Sequence, residues 1–436
     1  MNAALHPLSR SDLYRAAFVF AVAFAAALAQ VAWVAHPLDH VYSDMQGYVE
    51  RGYHLTLGEP LGAFDVFFPP GTQYVFSVFF TVLGFTDGIN VLTVAQMFWL
   101  AGAAACCTLT AIVLFGHRRA ATIAGLVMAF YWPLVTMASF YASEALFVFL
   151  AMVGQCAAII AVQQRWRAAS WYLLGLFAGI MVLVKGQGLA FAFGTFIFLL
   201  LMFPRVSPKA ISSWLVGFCV PVLLQMVIVS TVLKKPTYTI ATNDAFNMYL
   251  GQSNLMALGT LDPQTYAYYI FHNNNSHFNH HLSAPKSMLV AIGDRAVFRS
   301  ATVDLWLEAP FRQFVRSLNS VTELWSSQLE WPPRNLTDIR GLNGTIKLWV
   351  LLLAFPAFLW TLSMAYRGVM PLPPIALMLL PLLGVSAMAF VSMGQPRYAA
   401  PFFYNLIILA IPAYQAAVNA LGQRMTRVGK RVEESR

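Results

Sequence analysis

Charge is scarce in this sequence. Only 10% of its 436 residues are Asp, Glu, Lys or Arg, and acids are the scarcer sign, 18 against 27 basic residues. Glu144 is the only acid between Asp87 and Asp244, and none occurs between Asp338 and Glu433. Any carboxylate chemistry therefore falls mainly on Asp39, Asp44, Glu50, Glu59 and Asp65. Cysteine is scarce too. Cys106, Cys107, Cys156 and Cys219 all lie in apolar stretches, which leaves no external disulfide framework and no spaced metal motif; they read as packing residues. An ordinary soluble domain is excluded by a chain that is 59% hydrophobic with a mean hydropathy of +0.64. The net charge of +9 reads as a topology signal suited to anionic lipid headgroups, and implies no nucleic-acid partner.

What is present is a series of apolar runs near the roughly 20 residues that a spanning helix needs. They fall at 16–35, 89–115, 120–140, 142–162, 171–184, 189–203, 211–233, 348–365, 371–393 and 398–418. The expectation is an all-α polytopic membrane protein with about ten transmembrane helices. Counting alternate crossings from Arg10 and Arg15 puts Arg118 and Arg119, then Arg165 and Arg167, then 205–209, Arg367 and the 424–431 tail on one side, as expected of cytoplasmic loops. The count holds only if 72–85 does not cross, so that segment is read as an interfacial or re-entrant helix. The first span begins close to Arg10 and is too long for a cleavable signal core, so it is expected to stay as an anchor. Two segments then face outside: a first loop, 36–88, with interfacial helices, and a larger one, 234–347, too polar to span. The domain reading is a transmembrane catalytic module at 1–233, an external loop subdomain at 234–347, and C-terminal helices with a basic tail at 348–436.

Charge in or near hydrocarbon is costly and usually retained for a function. Asp44, Lys185 and Arg397 stand at the ends of apolar spans, and all three ends map to the external side. Tyr48, four residues after Asp44, shares its face if that stretch is helical. Lys185 is the only lysine before Lys209, between two short apolar runs and followed by Gly186, Gln187 and Gly188. That placement suggests a Gly-broken turn lining a cavity. The plainer alternatives are a loop aspartate capping a helix and two snorkelling anchors.

At these residues the chain resembles the GT-C superfamily of membrane glycosyltransferases, in the branch of protein O-mannosyltransferases and lipid A aminoarabinose transferases. Asp44 with Tyr48 resembles the branch's catalytic loop, and Phe68-Pro69-Pro70-Gly71-Thr72 the Pro-Pro element after it. Tyr141 to Leu146 is similar to the start of a later span that carries an acid, here Glu144; 179–185 is similar to the Gly-Leu-Ala-x-Leu-Thr-Lys pattern. Asn243 to Leu250, with Gly251-Gln252-Ser253-Asn254 and Gly259, resembles an Asn/Gly-rich element, and Arg397-Tyr398 with Pro401 a late Arg-Tyr motif. The resemblance implies a bacterial inner-membrane enzyme, facing the periplasm or exterior, that moves a sugar from a polyprenyl-phosphate donor to a hydroxyl on a lipid, glycan or protein, with inversion. It implies Asp44 as general base, Lys185 and Arg397 on the donor phosphate, and Tyr48, Glu144, Asn243, Asn254 and Tyr398 as substrate-binding residues.

In one respect the chain departs from the pattern. Many members carry a second acid beside the first, whereas here Ser43 and Met45 flank Asp44 and Gln46 fills the other position. No metal site and no cofactor is therefore expected; Glu59, Asp65 or the group His277, His280 and His281 would have to supply ligands for a divalent ion. Two other functions compete. A transporter or flippase would also keep intramembrane charge, but no internal repeat or second broken segment in a symmetric position points to it. An O-antigen ligase or polymerase would use a pyrophosphate-linked donor.

Overall fold

The long apolar runs become helices, and the polar connections gather at two ends of the bundle. The computed structural model describes residues 5–41, 44–252, 295–326 and 337–434. It is all helix, with no strand among the described residues. In chain order the helices are α1 (Arg10–Ala29), α2 (Asp44–His54), α3 (Gly71–Phe115), α4 (Arg118–Ala129), α5 (Trp132–Val135), α6 (Ser143–Gln164), α7 (Ala168–Val184), α8 (Gly188–Leu201) and α9 (Pro208–Val232). They continue with α10 (Asn243–Gln252), α11 (Arg295–Glu308), α12 (Pro310–Trp325), α13 (Thr337–Tyr366), α14 (Leu372–Val391), α15 (Pro396–Ala399) and α16 (Phe403–Glu434).

Seven helical segments among the described residues are long and apolar enough to cross a membrane, and a bent pair makes up to eight. The chain is an integral membrane protein. The number differs from about ten for physical reasons. The expected span 120–140 is broken, α4 and the α5 segment meeting at 50°, because Pro133 opens a new helical turn after the Phe130-Tyr131 break. α7 and α8 are 17 and 14 residues long, each short of a full crossing.

The segment 72–85 is resolved as one limb of a helical hairpin. Gly84 has φ 74 and ψ 167, a conformation open essentially to glycine alone, and the chain reverses there. The Phe79 ring lies 6.5 Å from that of Trp99, twenty positions on, where a straight helix would separate them by about 30 Å. The limb 71–83 is itself only about 20 Å long, against a hydrocarbon core of about 30 Å.

One end of the bundle is basic. His6 donates its backbone N–H to the Val113 carbonyl at 2.9 Å, Asp12 pairs with Arg118 at 2.8 Å, and Gln163 donates to the Leu5 carbonyl at 3.5 Å. Arg10, Arg15 and Arg119 belong to the same end by their positions on α1 and α4, and Arg165 and Arg167 by theirs in the turn between α6 and α7. The opposite end carries α2, the starts of α6 and α8, and α15. Inside, a continuous apolar core runs from Val19 and Phe76 through Phe147 and Trp171 to Leu377 and Ile408.

Candidate functional site

A cavity of about 640 Å³ opens at that opposite end, within the range of small-molecule sites. Asp44, Tyr48, Glu144, Lys185, Asn243, Arg397 and Tyr398 all line it. These are seven of the residues singled out from the sequence. Asn254 and the His277, His280 and His281 group lie outside the described residues.

Each functional side chain is set by a helix end. Asp44 opens α2, and Arg397 Nη2 donates to its Oδ2 at 2.9 Å. Glu144 lies in the first turn of α6, where the positive end of a helix favours a carboxylate. Lys185 closes α7 because the helix stops before Gly186, and its Nζ donates to Glu144 Oε1 at 2.6 Å. Both cations stack on one ring: Lys185 Nζ is 5.1 Å and the Arg397 guanidinium 5.3 Å from the centre of Tyr398. Arg397 is held further by Gln395 Oε1 at 2.8 Å. Two ion pairs, supplied by four separate parts of the chain, thus face one space around one aromatic ring.

The Pro-Pro-Gly element brings the first loop to Lys185. Gly71 packs so closely on the end of α7 that a Cβ there would lie 2.5 Å from Val184 N, and Thr72 Oγ1 donates to the Val184 carbonyl at 3.4 Å. On the other side, the backbone N–H groups of Thr242 and Asn243 donate to the Val66 and Phe67 carbonyls, each at 3.0 Å. This ties the start of α10 to the same loop. Asp244 is held by a two-pronged bond from Arg295 at 2.7 and 2.6 Å.

Two charged residues beside the site were not singled out from the sequence. Arg51, on α2, is fully buried yet contributes to the cavity wall. Its Nε donates to Gln73 Oε1 at 2.8 Å, and its guanidinium lies 5.1, 4.8 and 4.7 Å from the rings of Tyr48, Phe64 and Phe68. Burial lowers its pKa to about 10, which keeps it charged at neutral pH, while burial raises that of the Tyr48 phenol. The spacing 44, 48, 51 on a helix is the signal that could have found it. Lys347, also fully buried, donates to the Leu324 and Pro396 carbonyls at 3.2 and 3.4 Å, and so holds the turn before Arg397. It is the only lysine between Lys286 and Lys430.

The acids beside Tyr398 already hold partners within the chain, each a cation, and Gln46 donates to Glu50 at 2.7 Å. Glu59 is exposed and Asp65 is turned into the loop, its Oδ2 accepting from Gly62 N at 2.7 Å. Among the described residues no three His, Cys, Asp or Glu side chains converge.

Solved structures share this architecture. The archaeal oligosaccharyltransferase AglB from Archaeoglobus fulgidus, in complex with an inhibitory peptide and a dolichol-phosphate, superposes with a TM-score of 0.51 at 16% identity, over 97% of this chain and 52% of that one. The Archaeoglobus fulgidus oligosaccharyltransferase in its apo form gives 0.52 at 13% identity, over 96% and 52%. This chain spans about half the length of each, and the likeness is one of fold. No family model and no curated protein matches the sequence.

Proposed function

We propose that this protein is a membrane glycosyltransferase that moves a sugar from a polyprenyl-phosphate donor to an acceptor hydroxyl at the extracytoplasmic face. The observation that carries this reading is the meeting of the Asp44–Arg397 and Glu144–Lys185 pairs around Tyr398 in one cavity, within a GT-C fold. The basic loops gather at the other end of the bundle, and basic loops favour the cytoplasm, which supports an outward-facing site.

The chemistry follows from the groups at hand. The acceptor oxygen attacks the anomeric carbon, the bond from that carbon to the phosphate oxygen breaks, and the acceptor proton passes to a carboxylate. Asp44 takes the proton. A donor phosphate seated between Lys185 and Arg397 competes with Asp44 for the Arg397 guanidinium and frees the carboxylate for this role. As the polyprenyl phosphate departs, negative charge grows beside the two cations, which stabilise it more in the transition state than in the bound donor. Attack from the face opposite the phosphate inverts the anomeric centre. Asn243 and Tyr48 are placed to contact the sugar or the acceptor, while Val385, Met388 and Ala389 of α14 offer the cavity an apolar wall for the lipid. No step requires a metal.

The test is transfer of labelled sugar from a polyprenyl-monophosphate donor by membranes carrying the protein. Transfer abolished in Asp44→Asn supports the reading. Wild-type membranes that transfer nothing from this donor but do so from a pyrophosphate-linked glycan would replace it with a ligase or polymerase.

A further inference from the structure

Six charged side chains line the cavity: Asp44, Arg51, Glu144, Lys185, Asp244 and Arg397. Five of them are in ion pairs, Asp44 with Arg397, Glu144 with Lys185, and Asp244 with Arg295. Arg51 is the sixth. It has no acid within ion-pair distance among the described residues, and its Nη1 and Nη2 are buried without a hydrogen-bond partner. Leaving charged donors buried and unsatisfied is costly, and an unpaired buried charge more so. The aromatic rings of Tyr48, Phe64 and Phe68 offset part of that cost, but they accept no hydrogen bond in the plane of the guanidinium, where its N–H groups point. Beside Nη1 the helix presents Gly47, and a Cβ there would lie 3.1 Å from it, so a side chain at that position would press on the Nη edge.

Resting on the donor being a polyprenyl-phosphate sugar, we infer that Arg51 is an anion-binding residue of the same site, whose Nη edge receives an oxygen of the donor phosphate. Lys185 and Arg397 are bound to carboxylates at the start, whereas Arg51 is preorganised with nothing to give up.

The experiment compares binding of undecaprenyl phosphate with that of undecaprenol to the purified full-length protein, read by tryptophan fluorescence, for wild type, Arg51→Met, Arg51→Lys and Gly47→Ala. Arg51→Met is expected to lower the affinity for the phosphate by roughly 10²-fold, the scale of a lost buried charge partner, and to leave undecaprenol unchanged. Arg51→Lys recovers part of the loss. Gly47→Ala, which should favour the helix while crowding Nη1, weakens phosphate binding at an unchanged melting temperature, and it decides the matter if Arg51→Met does not fold. Wild-type phosphate preference in either Arg51→Met or Gly47→Ala would overturn the assignment and leave Arg51 a packed strut. A wild-type protein that binds both lipids equally would instead overturn the donor reading itself, and this inference with it.

Discussion

Asp44 and Arg397 are 2.9 Å apart, and Glu144 and Lys185 2.6 Å, so a substitution at any of them acts on stability and on chemistry together. Asp44→Asn keeps shape and polarity and loses the base. Transfer is expected to fall on the order of 10²-fold or more with expression and donor binding nearly intact, and a variant turning over like wild type would reduce Asp44 to a helix cap. Lys185→Met leaves Glu144 buried with no ammonium beside it, which costs about 3–5 kcal/mol where a buried pair is broken from one side. The double variant Lys185→Met with Glu144→Leu should therefore regain thermal stability without regaining transfer. Recovery of both would make the pair purely structural. Lys185 and Arg397, serving one phosphate, should each cost roughly 10²-fold to 10³-fold and combine non-additively. Because both acids beside Tyr398 already hold cations, a chelator should leave transfer largely unchanged; loss that a divalent ion restores would show that an ion displaces those pairs.

Among elements, the two limbs of α3 and the α7–α8 junction decide where the chemistry sits. Gly84 reverses the chain at φ 74, and Gly84→Ala should destabilise by about 1–3 kcal/mol, measured as a lower melting temperature, with the active site intact in the protein that remains folded. Gly71→Ala should do the opposite. Its methyl would meet Val184 N at 2.5 Å and shift the backbone that carries Lys185, so transfer should drop well beyond what the change in melting temperature accounts for. If the two variants show equal ratios of lost activity to lost stability, the close seat of Gly71 on α7 does not position Lys185.

Across the whole molecule, charge is segregated to the two ends of an apolar bundle. In a background without the four native cysteines, a single cysteine at Gln46, Gln187 or Gln395 should react with an impermeant maleimide from the outside. One at Arg119 or Arg167 should react only after the membrane is opened. Labelling of position 187 from the cytoplasm alone would place Lys185 on the wrong face for an extracytoplasmic reaction.

The sequence by itself located most of the helices and the basic loops that gather at one end of the bundle, because apolar length and basic loops are local properties that survive in any arrangement of the spans. Lys185 was legible as a lone lysine between two runs too short to cross, and Asp44 and Glu144 because acids are so few. Arg51 was not. An arginine in a polar loop helix looks solvated until Phe64 and Phe68 close over it, and nothing in the 44–54 stretch says that they will. Lys347, near the start of an apolar span, likewise passes for a snorkelling anchor until the Leu324 and Pro396 carbonyls are seen around it. The absence of a second acid beside Asp44 was visible in the sequence, but its counterpart was not: Arg397 reaches Asp44 across 353 positions, and Lys185 reaches Glu144 across 41. Which cation meets which carboxylate depends on helix packing and on where each apolar run stops, so the composition of the site was written in the sequence and its pairing was decided only by the tertiary structure.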